Sequence, residues 1–370
     1  MKKKSHVDIM HFIALKPIKR GSFEDFIIQI NTELNRRNKN SIFIFDDQIS
    51  PQLKKIFAEK NVQYKLEDLK ERQGLSLFRC LRQYRPKICH FHFVPLSLKI
   101  IIICSLLRIH VLYTIHDSLL HNDTLKRLTL KYLFKRIKRK LVLAKVSKII
   151  AVSEFVHLWM KQQYYVSDNK LVTIYNGVDI KRFQNTKKTA DNKIVFIGQL
   201  IHEKGVHVLI EAINILQQKM EIQADIIGDG SYKNHLENLV ANHNLTKCIH
   251  FHGVCYDVRN FLNMARVLVC PSIWYEAFGL VIIEAMASRV PVIASRCGGI
   301  PEIITHEETG LLVPPGDAVA LSEAIYMIIN NLSLRQKIID NAYTEVENKF
   351  NINLMTNTYV SLYVDQTKNI

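Results

Sequence analysis

The sequence predicts an α/β protein of two doubly wound domains, on three observations. Strand-like apolar runs alternate with helix-like amphipathic runs almost from end to end, which is how parallel βαβ units read. The alternation breaks at a polar stretch, Gln184 to Asn192, which has no core-forming residue and reads as a linker, and then it restarts. At 370 residues the chain has the length of about two domains that each bury a core.

In the first half the predicted strands are Val7–Ala14, Ser41–Phe45, Ile88–Phe91, Val111–Ile115, Lys148–Val152 and Leu171–Ile174. Amphipathic helices separate them. Phe23, Phe26, Ile27, Ile30 and Leu34, for example, fall on one helical face. After the linker come strands Ile194–Ile197, Ala224–Ile227, Ile249–Phe251, Val267–Cys270 and Pro291–Ala294, and the last sixty or so residues read as helical. The boundaries expected are 1–184 for the first domain and 190–351 for the second. Two such domains would face each other across a cleft. Doubly wound sheets bind ligands outside the carboxyl ends of their strands, so the loops there are where chemistry is expected.

Composition narrows the class. Hydrophobic residues make up 48% of the chain, and neither low-complexity segments nor a solenoid-period repeat is present, so the protein is globular. Seven cysteines with no CxxC pair are expected to be reduced, buried and cytosolic. The start, Met1-Lys2-Lys3-Lys4, has the charge of a signal peptide. Asp8, His11 and Lys16 break the apolar stretch behind it, so a first strand is the better reading. The longest apolar run, Ile100–Leu107, is far short of the roughly 18 residues that span a bilayer. A net charge of +16 points to anionic partners: phosphate ligands, acidic lipid or nucleic acid.

The most informative segment runs from Glu276 through Ala-Phe-Gly-Leu-Val-Ile-Ile to Glu284. It follows the strand ending at Cys270-Pro271-Ser272, which puts Glu276 in a strand-to-helix loop and starts the helix near Phe278 or Gly279. The free N–H groups of a helix N-terminus are an anion site. Gly279 permits close approach to the backbone. Glu284 falls in the second turn and leans back toward the same edge, where its carboxylate can accept from a diol such as ribose.

Two glutamates with seven residues between them and Phe-Gly-Leu after the first resemble the hallmark of family 4 of the retaining glycosyltransferases (group 1), of GT-B fold. Phe196-Ile-Gly198-Gln199-Leu200, Glu203-Lys204-Gly205, Ile227-Gly228-Asp229-Gly230, Phe251-His-Gly253, Gly298-Gly299-Ile-Pro301-Glu302 and Thr309-Gly310-Leu-Leu-Val follow in the family's order. The likeness covers nearly all of residues 170–320. It implies that Lys204 pairs with a donor pyrophosphate and that Glu284 binds ribose. It further implies that Glu276 sits beside the transferred sugar, with Phe278, Gly279 and Leu280 giving backbone contacts. Fixed positive groups there would stabilise the charge that builds on a departing nucleoside diphosphate. Where the family usually has Gly-Arg, this chain has Gly198-Gln199, which brings no charge, and Ser288-Arg289 stands where a small residue and Gly are usual.

In the first half the likeness is looser. Thr114-Ile115-His116-Asp117 matches the family's Thr-x-His-Asp at a strand end, which implies that His116 binds a sugar hydroxyl or assists the leaving group and that Asp117 orients it. Read alone, the dipeptide is a satisfied local pair. The loop Lys16-Pro17-Ile18-Lys19-Arg20-Gly21-Ser22 stands where the family has Gly-Gly facing the phosphates. Gly21 and Ser22 are therefore candidate donor contacts, and Lys19 or Arg20 a candidate replacement for the charge missing at Gln199. A solvated basic loop is the equal alternative. Tyr175-Asn176-Gly177-Val178-Asp179 reads as a turn. His90 and His92, and likewise His250 and His252, have no third ligand at recognisable spacing. Packed strand ends are expected there, and no metal or other cofactor is expected beyond the nucleotide sugar as co-substrate. The resemblance also implies that a C-terminal helix, 352–370, crosses back to the first domain.

Residues Thr124 to Lys148 carry ten Lys/Arg and no acidic residue, and Leu130, Leu133, Phe134, Ile137, Leu141 and Ala144 form a helical stripe within them. Two readings hold together: the stripe packs in the core with its charges in water, or the basic face docks on anionic lipid. The function expected is retaining transfer of a sugar from a nucleotide-diphosphate donor to a glycan or lipid-linked acceptor, in bacterial surface polysaccharide synthesis. The enzyme would lie in the cytoplasm, on the inner face of the membrane. The alternatives are an epimerase-like protein or a phosphorylase of the same fold, and a basic nucleic-acid-binding protein. No nucleic-acid module or aromatic ladder supports the last, so no nucleic acid is expected as a partner.

Overall fold

The computed structural model describes residues 7–15, 20–46, 48–67, 75–116, 130–184 and 193–368. Asp117, Lys16–Lys19, residues 124–129 of the basic segment and 185–192 of the expected linker lie outside them. The chain forms two compact units, 1–175 with 353–370, and 176–352.

In the first unit the order is β1 (Ile9–Ile13), α1 (Ser22–Arg36), β2 (Ser41–Phe45), α2 (Pro51–Glu59), β3 (Tyr64–Leu66), α3 (Leu75–Tyr84), β4 (Ile88–His92), α4 (Leu98–Leu106), β5 (His110–Ile115), α5 (Leu130–Ala144), β6 (Lys148–Ala151), α6 (Glu154–Tyr164) and β7 (Leu171–Thr173). Among the described residues the sheet is seven-stranded, β3-β2-β1-β4-β5-β6-β7, with every pairing parallel. All five residues of β1, β2 and β4 are buried, as helix-covered parallel strands require. Strand order reverses between β1 and β4, and register sets His11 beside His90 there. The predicted face of α1 is seated as read, with Phe26, Ile27, Ile30 and Leu34 buried.

The second unit begins with α7 (Ile180–Phe183) and continues through β8 (Lys193–Ile197), α8 (Val206–Leu216), β9 (Gln223–Ile227), α9 (Lys233–Asn242), β10 (Ile249–Gly253) and α10 (Arg259–Met264). Then come β11 (Ala265–Cys270), α11 (Leu280–Ala287), β12 (Val292–Ser295), β13 (Leu311–Val313), α12 (Ala318–Asn330) and α13 (Leu332–Lys349). Its described strands form a parallel sheet, β10-β9-β8-β11-β12-β13, with the reversal between β8 and β11. Ile194, Phe196, Leu209, Ile213 and Ile226 sit in one continuous core.

Residues 176–184, expected with the first domain, pack in the second unit. Val178 N–H donates to Phe350 O at 2.8 Å, Ile352 N–H returns to Val178 O at 3.1 Å, and Arg182 meets Asp257 at 3.4 Å. The last helix, α14 (Ile352–Lys368), belongs to the first unit from Asn353 onward and buries Tyr359 and Tyr363 there. No helix among the described residues is long and apolar enough to cross a membrane.

Two further expectations are corrected. Phe134, Ile137 and Leu141, assigned to a core stripe, are exposed (71%, 48% and 54%), because α5 turns Arg136 and Arg139 toward α6 instead. Arg139 donates to Tyr164 Oη at 2.9 Å, and among the described side chains of α5 Val142 and Leu143 are the buried ones; Leu130 and Leu133 of the stripe lie outside them. His250 and His252 are also exposed rather than packed. They alternate with buried or half-buried residues on β10, the edge strand, and His252 Nε2 lies 2.7 Å from Asp225 Oδ1.

Candidate functional site

The loops that leave β8 and β11 flank the point where strand order reverses in the second unit, and they bring Lys204 and Glu276 together. After β8 the chain passes exposed Gln199 and makes one tight turn at His202–Lys204. Gly205 ends the turn at φ +67°; a Cβ there would lie 1.9 Å from Pro271 O, so only glycine lets this loop press on the one after β11. Glu203 O accepts from Ile273 N–H at 2.9 Å, which locks the two loops backbone to backbone.

Lys204 Nζ lies 2.6 Å from Glu276 Oε1, and the same oxygen accepts from Ser272 Oγ at 2.5 Å. Burial lowers the pKa of Lys204, but its neighbours, the Glu276 carboxylate foremost, together outweigh that and the net shift is upward. The ammonium therefore stays charged. The Glu276 backbone is held by the Gly298-Gly299 turn: Gly299 N–H donates to Glu276 O at 2.8 Å, and a Cβ on Gly298 (φ +58°) would sit 2.2 Å from that oxygen. Cys270 and Cys297 lie beside the pair; burial pushes both thiols up to about 12, so they remain protonated and are not nucleophiles.

Gly279 is the N-cap of α11, and Leu280 is its first residue. Glu284, on the second turn, is buried at 6% exposure. Phe278 is buried too, its ring edge-on to Phe350 at 5.6 Å. The second unit thus gathers a charged lysine, two carboxylates and a helix N-terminus around one strand-end loop. That set can hold an anion and hydrogen-bond hydroxyls.

In the first unit Gly21 caps α1, its N–H donating to Glu24 Oε2 at 2.9 Å, and Ser22 is buried. Arg20 pairs with Asp25 at 3.0 Å, so its charge is already met by a carboxylate. His116 stands just past β5, partly exposed, in an aromatic clamp: Phe93 stacks on it at 4.2 Å and Phe23 meets it edge-on at 5.4 Å. Its Nε2 lies 3.1 Å from His92 Nδ1, and His92 Nε2 lies 3.4 Å from His11 Nδ1. His90 makes a separate set, with Nδ1 2.7 Å from Tyr363 Oη and Nε2 2.7 Å from Thr114 Oγ1.

Burial lowers all four imidazoles, His11 and His116 to about 3 and His90 and His92 well below the ordinary value, so they are neutral near pH 7. His11, His90 and His92 bring ring nitrogens within 4.8 Å of one another. Both nitrogens of His90 and of His92 are already hydrogen-bonded, so a metal would have to displace those partners. Sequence reasoning missed His11 as a neighbour of His116, and missed Ser272 and Gly298 at Glu276. A histidine at matching depth on each of two apolar strands was the available signal for the first.

The profile of the family described as glycosyl transferases group 1 matches residues 177–345, and that of glycosyltransferase family 4 matches 45–182. An uncharacterized glycosyltransferase of Methanocaldococcus jannaschii is 32% identical over 244 residues, covering 65% of this chain and 64% of that relative. The capsular polysaccharide biosynthesis glycosyltransferase CapM of Staphylococcus aureus is 29% identical over 253 residues, covering 63% of this chain and 65% of its own length. The chain thus spans a little under two-thirds of each. Among solved structures, a glycosyltransferase from Rickettsia africae superposes with a TM-score of 0.81 at 22% identity, covering 99% of this chain and 100% of that one. Anabaena HepE in complex with UDP-glucose gives 0.78 at 18% identity, with the same coverage of 99% and 100%. With the ordered motifs, the two reversed-order parallel sheets and both family profiles in agreement, the chain belongs to the group 1 glycosyltransferases of GT-B fold.

Proposed function

We propose that this chain transfers a sugar from a nucleoside diphosphate donor to a glycan or lipid-linked acceptor, with retention at the anomeric carbon. The observation that carries the reading is the Lys204–Glu276 contact at the sheet's reversal point, set at the start of α11 with Glu284 one turn on. A charged, half-buried lysine there suits a pyrophosphate, and the helix N-terminus adds its free N–H groups. Glu284 accepts from the ribose diol, and Glu276 hydrogen-bonds the sugar once the pyrophosphate has drawn Lys204 away. His116 hydrogen-bonds the transferred sugar. HepE, of the same fold, is seen with UDP-glucose, which supports a nucleotide-sugar donor; CapM supports a surface polysaccharide product.

The acceptor hydroxyl oxygen bonds to the anomeric carbon as the bond from that carbon to the diphosphate oxygen breaks, on the same face. The hydroxyl proton passes to the departing phosphate, and the electron pair of the broken bond leaves with it. Lys204 and the α11 N-terminus stabilise that growing charge. No carboxylate is required as a covalent nucleophile, and the reading needs no resident metal.

Docking on anionic membrane belongs to the same reading. Ile102 and Leu106 on α4 and Phe134, Ile137 and Leu141 on α5 are exposed, the two helices pack on each other, and Lys99, Lys138 and Lys140 lie among them in sequence. Apolar side chains flanked by lysines suit a lipid interface.

The test is thermal shift of the purified protein against UDP, GDP, ADP and their sugar conjugates, repeated with Lys204→Ala. One nucleotide class should raise the melting temperature, and the rise should vanish in the variant. No response to any of them, or an inverted anomeric centre in the product, refutes the proposal.

A further inference from the structure

His116 lies at one end of a line of three imidazoles, and the far end of that line is an orphan. His11 Nε2 is buried with no hydrogen-bond partner among the described residues, while its ring stacks on Phe43 at 4.6 Å. From there the contacts run His11 Nδ1 to His92 Nε2 (3.4 Å) and His92 Nδ1 to His116 Nε2 (3.1 Å). A neutral imidazole carries one N–H, so two contacts in series allow two directions in which the whole line is hydrogen-bonded. Either His11 donates to His92 and His92 to His116, or both reverse.

The orphan decides between them. Reversal would put an N–H on His11 Nε2 with nothing to receive it, and a buried unpaired N–H is rarer in folded proteins than an underused acceptor. In the forward direction His11 Nε2 carries only a lone pair. The forward direction leaves His116 Nε2 bare and its proton on Nδ1, the nitrogen with no partner among the described residues. We propose that the His11–His92–His116 line is a one-way hydrogen-bonded chain that fixes His116 in its Nδ1–H tautomer, so that it meets an oxygen of its ligand as a donor. That this ligand is the sugar nucleotide rests on the function proposed above; the tautomer does not.

A second feature holds the end of the line in place. Phe93 adopts φ +59°, a region a bulky side chain avoids, and its ring is the one stacked on His116. Strain of this kind persists where the surroundings insist on it. A third follows from burial: with His11 and His116 held neutral down to about 3, protonation does not scramble the direction near pH 7. His92 is a positioning residue in this scheme, and so is His11.

Nitrogen-15 spectra of histidine-labelled protein at pH 7, without ligand, test the proposal, with the His116 signals identified by their loss in His116→Gln. His116 should show a protonated Nδ1 and a bare Nε2, the reverse of what a free histidine side chain prefers. A protonated Nε2, or an average of the two, overturns the proposal. His92→Leu removes the donor and should return His116 to the averaged pattern. His92→Asn, whose amide NH2 stands in for Nδ1–H, should keep the wild-type pattern and restore turnover that Leu lowers about tenfold, the worth of one hydrogen bond. An unchanged His116 signal in His92→Leu also overturns it; should that variant not fold, the wild-type spectrum decides alone. If His116→Gln keeps full transfer, the assigned role of His116 fails while the tautomer stands.

Discussion

Acidification should destabilise the first unit through His11, and the size of the effect follows from its burial. The ring is 0% exposed, and burial alone lowers its pKa from the ordinary 6.5 to about 3. Its neighbours His90, His92 and Tyr363 are themselves neutral at pH 5 to 7. Below 6.5 the unfolded ring takes a proton that the folded ring refuses, so the stability present above 6.5 is lost as pH falls toward 3. At pH 5 that difference is about 2 kcal/mol for this one residue. His90, His92 and His116 shift in the same direction, so the unit as a whole loses more.

The chain has two tryptophans, Trp159 in α6 of the first unit and Trp274 in the second. A Trp274→Phe background therefore lets Trp159 fluorescence report urea unfolding of the first unit alone. Adding His11→Phe keeps an aromatic ring against Phe43 and removes the titrating group. The loss between pH 7 and pH 5 should shrink by about 2 kcal/mol in that variant. An identical loss with and without His11 would show that the ring is hydrated or paired, and would refute the reasoning.

Gly298→Ala should push on the Glu276 carbonyl, which a Cβ would approach to 2.2 Å, and should strain φ +58°. A stability loss of roughly 1–3 kcal/mol in urea and a fall in transfer rate larger than any fall in nucleotide affinity are expected. Phe134→Ser with Leu141→Ser should abolish sedimentation with vesicles of anionic lipid while leaving the melting temperature unchanged, since both side chains are exposed. Equal sedimentation of the double variant and the parent would exclude α5 as the docking face.

Much of the second unit was legible because fully buried parallel strands read as unbroken apolar runs, and because each ends in a loop with marked chemistry. Lys204, Glu276 and Glu284 could be placed that way, as could the start of α11, which begins at Leu280 after the Gly279 cap. Tyr64–Leu66 was missed: three residues on a sheet edge, with Leu66 40% exposed, carry too short a pattern to stand out. The imidazole line was hidden for another reason. It depends on β1 pairing with β4 in one register, which joins residues 81 apart in sequence, and no local period encodes that. On α5 the sequence showed the stripe but not which side would be covered; the answer lay in Tyr164 and Gln163 of α6.

The return of α14 to the first unit has a consequence for how the protein is made. Its Tyr363 hydroxyl is the partner of His90, and Tyr359 lies 3.3 Å from Thr114, so β4 and β5 wait for side chains synthesised 273 and 245 residues later. The second unit is one unbroken stretch, 176–352, complete before α14 leaves the ribosome. At about 5–20 residues per second the N-terminal sheet spends on the order of ten seconds or more without its final helix while the later unit is being added. The first unit, whose strands are translated before the second unit, is therefore completed after it, and in that interval the nascent sheet carries uncovered apolar surface.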